Sequence, residues 1–140
     1  MGKSTLNMLL VIAIMVASMG FHGSVAKEHI VGDGFGWNVP SSQSFYHSWA
    51  SHQTFEANDV LVFNFATGTH TVAQVSRTAY NACDGSNPIS LHTTSPARIT
   101  IDPNQEQFYI CTVGSHCKSF QKLDIWVSTS TNNSSTMLPH

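Results

Sequence analysis

The sequence predicts an all-β fold, a β-sandwich that forms a single domain. Three observations favour this class: short apolar runs alternate with turn residues, charged residues make up only 10% of the chain, and helical periodicity is weak. The 140 residues suffice for one compact domain after removal of an N-terminal segment, and are too few for two. We therefore expect one antiparallel sandwich with few helices.

Five short segments predict the strands. Residues 60–65 are nearly continuous apolar, which is typical of a strand buried on both faces. Apolar and polar residues alternate over 122–127, so Leu123, Ile125 and Val127 fall on one face. The other predicted strands are 71–75, 97–101 and 107–111.

Helical structure is expected only as short turns near residues 46–50 and 77–82. The three tryptophans are expected to pack within the sandwich: Trp37, Trp49 and Trp126. Four histidines have no ligand-like spacing and are expected at the surface or with satisfied hydrogen bonds in the interior: His29, His47, His52 and His92.

The N-terminal segment resembles a secretory signal. An apolar run over residues 9–16 follows Lys3, and the small residues 24–26 precede Lys27. The run is shorter than the roughly 20 residues that a membrane-spanning helix needs. We predict a signal peptide over 1–26, a domain over 27–127, and a secreted, extracellular protein without a membrane anchor.

The C-terminal segment, residues 128–140, is rich in Ser, Thr and Asn and predicts a disordered tail. Asn132 and Asn133 each begin an Asn-x-Ser sequence, so both are possible glycosylation sites. The segment has no terminal hydrophobic run of the kind that directs a lipid anchor.

The charge balance excludes one class of partner. Without Lys3 the chain has five basic and eight acidic residues, a net charge of −3, and no basic patch. We therefore expect no nucleic-acid binding.

Four residues make up a candidate metal site. Cys111, His116 and Gln121 lie in one short segment, and His70 follows the turn-like residues 67–69 at the mouth of a predicted strand. A soft thiolate favours Cu(I), imidazole suits both copper oxidation states, and a weak axial ligand tunes the reduction potential. The set predicts one copper ion in a blue-copper, electron-transfer site.

The cysteines allow two pairings. If Cys111 binds the metal, Cys83 and Cys117 remain to form a disulfide beside His116, worth a few kcal/mol. The alternatives are a Cys83–Cys111 bridge that leaves Cys117 free, or a thiol used for pairing between molecules. Either would leave the group of His70, His116 and Gln121 without a purpose.

Two other site classes fit less well. Structural zinc usually has more thiolate ligands, and Gln is an unusual zinc ligand. A hydrolase of the Gly-x-Ser-x-Gly class is not indicated, because the sequence has no such motif. We therefore expect an electron carrier and not an enzyme.

A series of motifs resembles the phytocyanins, the blue copper proteins of plants. Similarity extends in order from about Ile30 to Val127 and is carried by Val-Gly-Asp-Gly-Phe-Gly-Trp at 31–37, His-Thr-Val-Ala at 70–73, Tyr-Asn-Ala-Cys at 80–83, Asn-Pro-Ile-Ser at 87–90 and Phe-Tyr-Ile-Cys-Thr-Val-Gly-Ser-His-Cys at 108–117.

The resemblance implies a cupredoxin fold, a Greek-key β-sandwich with copper near one end, and one-electron transfer outside the cell. His70, Cys111 and His116 match the equatorial ligand positions. Gln121 matches the axial position, as in stellacyanin-like members, and predicts a comparatively low reduction potential. The alternative function is an extracellular recognition or structural module, as in relatives that lack the ligands.

Two residues depart from the family pattern. Phe120 stands where Gly is common before the axial ligand, so its side chain could displace Gln121 or shield the copper. Ser115 replaces a usual Gly or Asp. We expect a monomer. Its redox partner is expected to be a small molecule or a protein.

Overall fold

The computed structural model describes residues 25–103 and 105–128. Within these ranges the secondary structure consists of strands β1 Glu28–Ile30, β2 Val60–Phe63, β3 Val72–Val75, β4 Ser90–His92, β5 Ala97–Thr100, β6 Glu106–Ile110 and β7 Lys122–Trp126, helices α1 Phe45–Ser51 and α2 Arg77–Ala82, and a 3₁₀ turn at Asp33–Phe35. Most of the predicted signal peptide lies outside the described residues, as do the tail beyond Ser128 and its two Asn-x-Ser sequences.

The strands form two sheets, with orders β1-β2-β5 and β4-β3-β6-β7. The four-stranded sheet is antiparallel throughout. The predicted strands pair antiparallel, as expected, whereas β1, which was not predicted, pairs with β2 in parallel at one edge. A strand of three residues whose exposed positions flank one buried residue gives too little alternation to be recognised from sequence.

The core lies between the two sheets and follows the predicted alternation. Leu61 and Phe63 from β2 meet Tyr109 from β6 and Leu123 and Ile125 from β7 in one buried cluster. The predicted strand over 60–65 is shorter than expected, since it ends at Phe63 and Asn64 is exposed. The expected sandwich is therefore present, and β6 and β7 run side by side at one edge of the four-stranded sheet.

Trp126 corrects one prediction. Trp37 and Trp49 are buried in the core, but 68% of the surface of Trp126 is exposed. Its neighbours Ile125 and Val127 are buried, and alternation along β7 places the intervening side chain on the outer face.

Both predicted helical turns are present. Helix α2 begins after Ser76, whose side chain accepts a hydrogen bond from Ala79 N at 3.1 Å, and ends at Cys83 in the left-handed conformation. A second apolar cluster, which includes Phe108 and Ile110, packs beneath it on the other face of the four-stranded sheet. In the part of the chain that is described, no helix has the length and apolar character needed to cross a membrane.

Candidate metal centre

The four predicted site residues come from two segments at one end of the sandwich. His70 lies two residues before β3, Cys111 follows β6, and Gln121 precedes β7. Cys111 N donates to Gln121 O at 3.1 Å, so the pairing of β6 with β7 continues into the site. His116 lies in the loop that joins these strands. Regular strand pairing thus fixes the distance between the thiol and the amide side chain.

The donor atoms of these residues converge. His70 Nδ1 lies 3.2 Å from His116 Nδ1, and His116 Nδ1 lies 3.6 Å from Cys111 Sγ. The ligand atoms of His70, Cys111 and His116 all lie within 4.8 Å of one another. One thiol and two imidazoles in this arrangement are the equatorial set of a blue-copper site.

Gln121, the predicted axial donor, is fully buried, with 0% of its surface exposed. Its Oε1 lies 3.1 Å from His70 Nδ1, whereas its Nε2 has no hydrogen-bond partner among the described residues. Leaving a buried amide donor unpaired costs about 1–3 kcal/mol. This energetic cost is explained if Gln121 is retained for its side-chain oxygen, which lies beside His70 Nδ1.

Electrostatics favour the form of His70 that can bind a metal. Burial lowers the pKa of its imidazole from the ordinary value, the proximity of His116 lowers it further, and the Gln121 contact acts in the opposite direction. The neutral ring has a free lone pair for a metal ion, as an imidazole ligand requires.

A hydrogen-bonded support surrounds the Cys111 sulfur. Thr71 N lies 3.5 Å from Sγ and Thr71 Oγ1 lies 3.9 Å from it. Thr112 N donates to Thr71 Oγ1 at 2.8 Å, and Trp37 Nε1 donates to Thr71 O at 2.8 Å. The sequence analysis missed this role of Thr71 and Thr112; the only sequence signal is their position next to two predicted ligands.

The ligand loop is held by a disulfide. Cys83 and Cys117 are bonded, with their Cα atoms 5.7 Å apart, and Cys111 is a free, buried cysteine. The alternative Cys83–Cys111 pairing is therefore wrong. The bond connects the end of α2 to the residue that follows His116.

Phe120 adopts the left-handed conformation, with φ of 73°. Phe120 N donates to Cys117 O at 2.9 Å and Gln121 N donates to His116 O at 3.0 Å, the bonding pattern that usually has Gly at this position. A side chain there costs about 1–2 kcal/mol. Phe120 does not displace Gln121. The Phe120 side chain points partly into solvent, at 42% exposure, and Gln121 stays buried with its oxygen toward His70.

A second buried histidine lies outside the candidate centre. His29, which is 2% exposed, places Nε2 at 2.9 Å from Asp59 Oδ2 and Nδ1 at 3.0 Å from Gln53 Oε1. It is a buried residue with satisfied hydrogen bonds, one of the two environments expected for it.

Comparison with known proteins places the chain in a family. The model of the plastocyanin-like domain matches residues 37–121. A blue copper protein of Arabidopsis thaliana is 43% identical over 102 residues, which cover 73% of this chain and 52% of the relative, so this chain spans about half of that protein's length. Stellacyanin of Toxicodendron vernicifluum is 36% identical over 71% of this chain and 95% of the relative.

A solved structure shows the same fold. Cucumber stellacyanin in its Cu²⁺ form superposes with a TM-score of 0.68 at 38% identity, over 76% of this chain and 99% of the other. The predicted cupredoxin-type β-sandwich is thereby confirmed.

Proposed function

Since this chain belongs to the phytocyanins, the plastocyanin-like copper proteins of plants, we propose that it is a secreted blue copper protein that carries single electrons between partners outside the cell. Family membership implies one copper ion and copper-based electron transfer. The ligand residues, the domain limits of 27–127, the extracellular location and the monomeric state are parts of the proposal.

The convergence of His70 Nδ1, Cys111 Sγ and His116 Nδ1 is the observation that carries the proposal. These three residues would hold the copper ion, with the Gln121 oxygen as the weak fourth donor. The bound ion would supply the chemistry of a one-electron couple, accepting or releasing one electron without a bond being made in a substrate.

The residues around the site would keep its geometry the same in both oxidation states. Cys111 and Gln121 are tied by the strand pairing, and His116 is tied through the neighbouring disulfide. A site that cannot rearrange loses little energy to reorganisation when its charge changes. Gln121 contributes an oxygen in place of a thioether sulfur, which favours the oxidised ion and lowers the reduction potential.

His116 is the proposed point of electron entry and exit. It is partly exposed, whereas His70, Cys111 and Gln121 are buried. A partner that contacts the protein at this end would therefore reach an imidazole edge before any other donor. The proposed partner is a small redox molecule or a protein.

A one-electron titration tests the proposal. The copper-loaded full chain should exchange one electron per chain, reversibly, with a ferrocyanide–ferricyanide mixture. Cys111→Ser should lose this reversible couple, and His47→Ala, which changes an exposed histidine outside the site, should keep it. A Cys111→Ser protein that retains the same couple would contradict the proposal.

A further inference from the structure

Phe120 combines a strained backbone with an exposed apolar side chain. Among the described residues, four other than glycine have a positive φ: Asp33, Asn58, Cys83 and Phe120. Phe120 is the only large apolar one, and at 42% exposure its ring gains little from burial. Strain that packing does not offset is typical of residues that are kept for a function.

The ring borders a cleft of about 270 Å³ between the ligand loop and the end of α2. The Cys83–Cys117 disulfide and Ala82 contribute to its apolar lining, and Asn81 adds an uncharged polar side chain. Lys118 and Lys122 contribute its charges, and none of the acidic residues that the structure describes lines it. A small anionic ligand with an apolar part is complementary to such a lining.

The two lysines are not equivalent. Lys122 Nζ donates to Tyr80 O at 2.6 Å and lies 3.9 Å from the centre of the Tyr80 ring. Lys118 is exposed and forms no ion pair within residues 25–103 and 105–128. Lys118 therefore supplies the charge that a ligand can neutralise.

We propose that Phe120 and Lys118 form a binding site for a small aromatic carboxylate. The ligand ring would stack on the exposed face of Phe120, and its carboxylate would pair with the Lys118 ammonium group. The volume accepts a molecule with one ring, and the cleft is too small for a folded partner. The site lies on the loop that carries His116 and Gln121, beside the proposed metal centre.

Titration with 3-phenylpropionate, which is redox-inert, tests this site by amide chemical shifts in the full chain. The reduced, copper-loaded protein is used first, and the metal-free protein second, so that failure of copper binding is distinguished from failure of this site. We expect saturable shifts that cluster at Lys118, Phe120 and Lys122.

Variants and ligand analogues identify the contacts. Phe120→Asn removes the ring and introduces a residue that tolerates positive φ. This substitution should weaken binding about tenfold. Lys118→Gln should weaken it about fivefold. Trp126→Ala, which removes an exposed aromatic residue elsewhere, should have no effect.

The analogues 3-phenylpropionamide and 3-cyclohexylpropionate, which lack the charge and the aromatic ring respectively, should bind more weakly than 3-phenylpropionate. Shifts that are absent or scattered over the surface would overturn the proposal. Equal affinity of the three ligands, or unchanged affinity in Phe120→Asn, would do so as well.

Discussion

The buried histidines His29 and His70 differ in the hydrogen-bond partners that surround them. Around His29, each ring nitrogen faces an oxygen, one from Asp59 and one from Gln53. Asp59 also accepts hydrogen bonds from the backbone N–H groups of Lys27 and Glu56. The His29 cluster is complete with protein atoms alone.

At the metal end the partners are donor atoms with lone pairs. His70 Nδ1 faces His116 Nδ1 and the Gln121 oxygen, and Cys111 Sγ lies beside His116. Such a set lacks enough protons to satisfy all its lone pairs, so a cation is the natural complement. The difference teaches that burial of a histidine does not by itself mark a ligand, and that the identity of its partners does.

Removing the histidine from the complete cluster should have the largest effect on stability. His29→Leu leaves the buried Asp59 carboxylate without its imidazole partner. We expect the free energy of unfolding to fall by about 3 kcal/mol, as for other broken buried pairs. Urea denaturation measures this, and the copper affinity of the folded variant should be unchanged. Reduced copper affinity would mean that the two clusters are coupled.

The same substitution at His70 should lower copper affinity and leave the stability of the metal-free protein nearly unchanged. His70→Leu removes a proposed ligand, so copper affinity should fall by at least about 100-fold. The metal-free protein should keep its stability within about 1 kcal/mol, because no ion pair is broken. Competition with a copper chelator measures the affinity and urea denaturation the stability. A large loss of metal-free stability would show that this cluster is structural.

Gln121 allows a smaller and more selective test. Gln121→Leu removes the buried, unpaired Nε2 and should raise the stability of the metal-free protein by about 1 kcal/mol. Gln107→Leu is the matched control. Gln107 is also buried, but its Nε2 donates to Asp102 O and its Oε1 accepts from Tyr109, so this substitution should destabilise the protein.

Equal destabilisation by the two Gln→Leu substitutions, measured by thermal unfolding, would contradict the view that Gln121 is retained for its oxygen. Gln121→Met, which places a thioether in the axial position, should raise the reduction potential of the copper-loaded protein.

The smallest expected effect is on the pH dependence of stability. In the metal-free protein, the His70 and Asp59 clusters should lose stability in different pH ranges. The folded-state pKa of His70 lies below its ordinary 6.5, mainly because of burial, so the unfolded chain binds protons first and stability falls as pH drops below about 6.5.

For Asp59, burial alone would raise the pKa, but hydrogen bonds from His29 and two backbone N–H groups together lower it below 3.8. Its contribution to stability is therefore present above about 3.8 and lost as pH falls further. His70→Leu should remove only the first of these two losses in urea denaturation from neutral to acid pH. A first loss that persists in this variant would contradict the assignment.

Much of this architecture could be predicted because the sandwich core imposes alternation on its strands. Leu123, Ile125 and Val127 identify the inner face of β7, and all three are buried. The same alternation should have placed Trp126 outside, where it lies; hydrophobicity alone led to the wrong expectation. The parallel strand β1 could not be recognised, since its pairing with Val60 to Val62 depends on residues 32 positions away.

The grouping of the candidate ligands at one place was predictable from residue chemistry, but the residues that support them were not. Cys111, His116 and Gln121 are close in sequence and have unusual donor types, so their grouping is visible in one segment. The contacts of Thr71 with Thr112 and the Cys111 sulfur join segments about 40 residues apart, and Thr is common in strands in any case. The strain at Phe120 depends on the backbone conformation, which the residue type itself disfavours.

The most direct test of a Cys111-centred copper site is the visible absorption and electron paramagnetic resonance of the full chain loaded with one equivalent of Cu(II). We predict an intense blue thiolate charge-transfer band with narrow copper hyperfine splitting, both lost in Cys111→Ser. A folded protein with the Cys83–Cys117 disulfide intact that shows neither signal, or signals that survive in Cys111→Ser, would contradict the account.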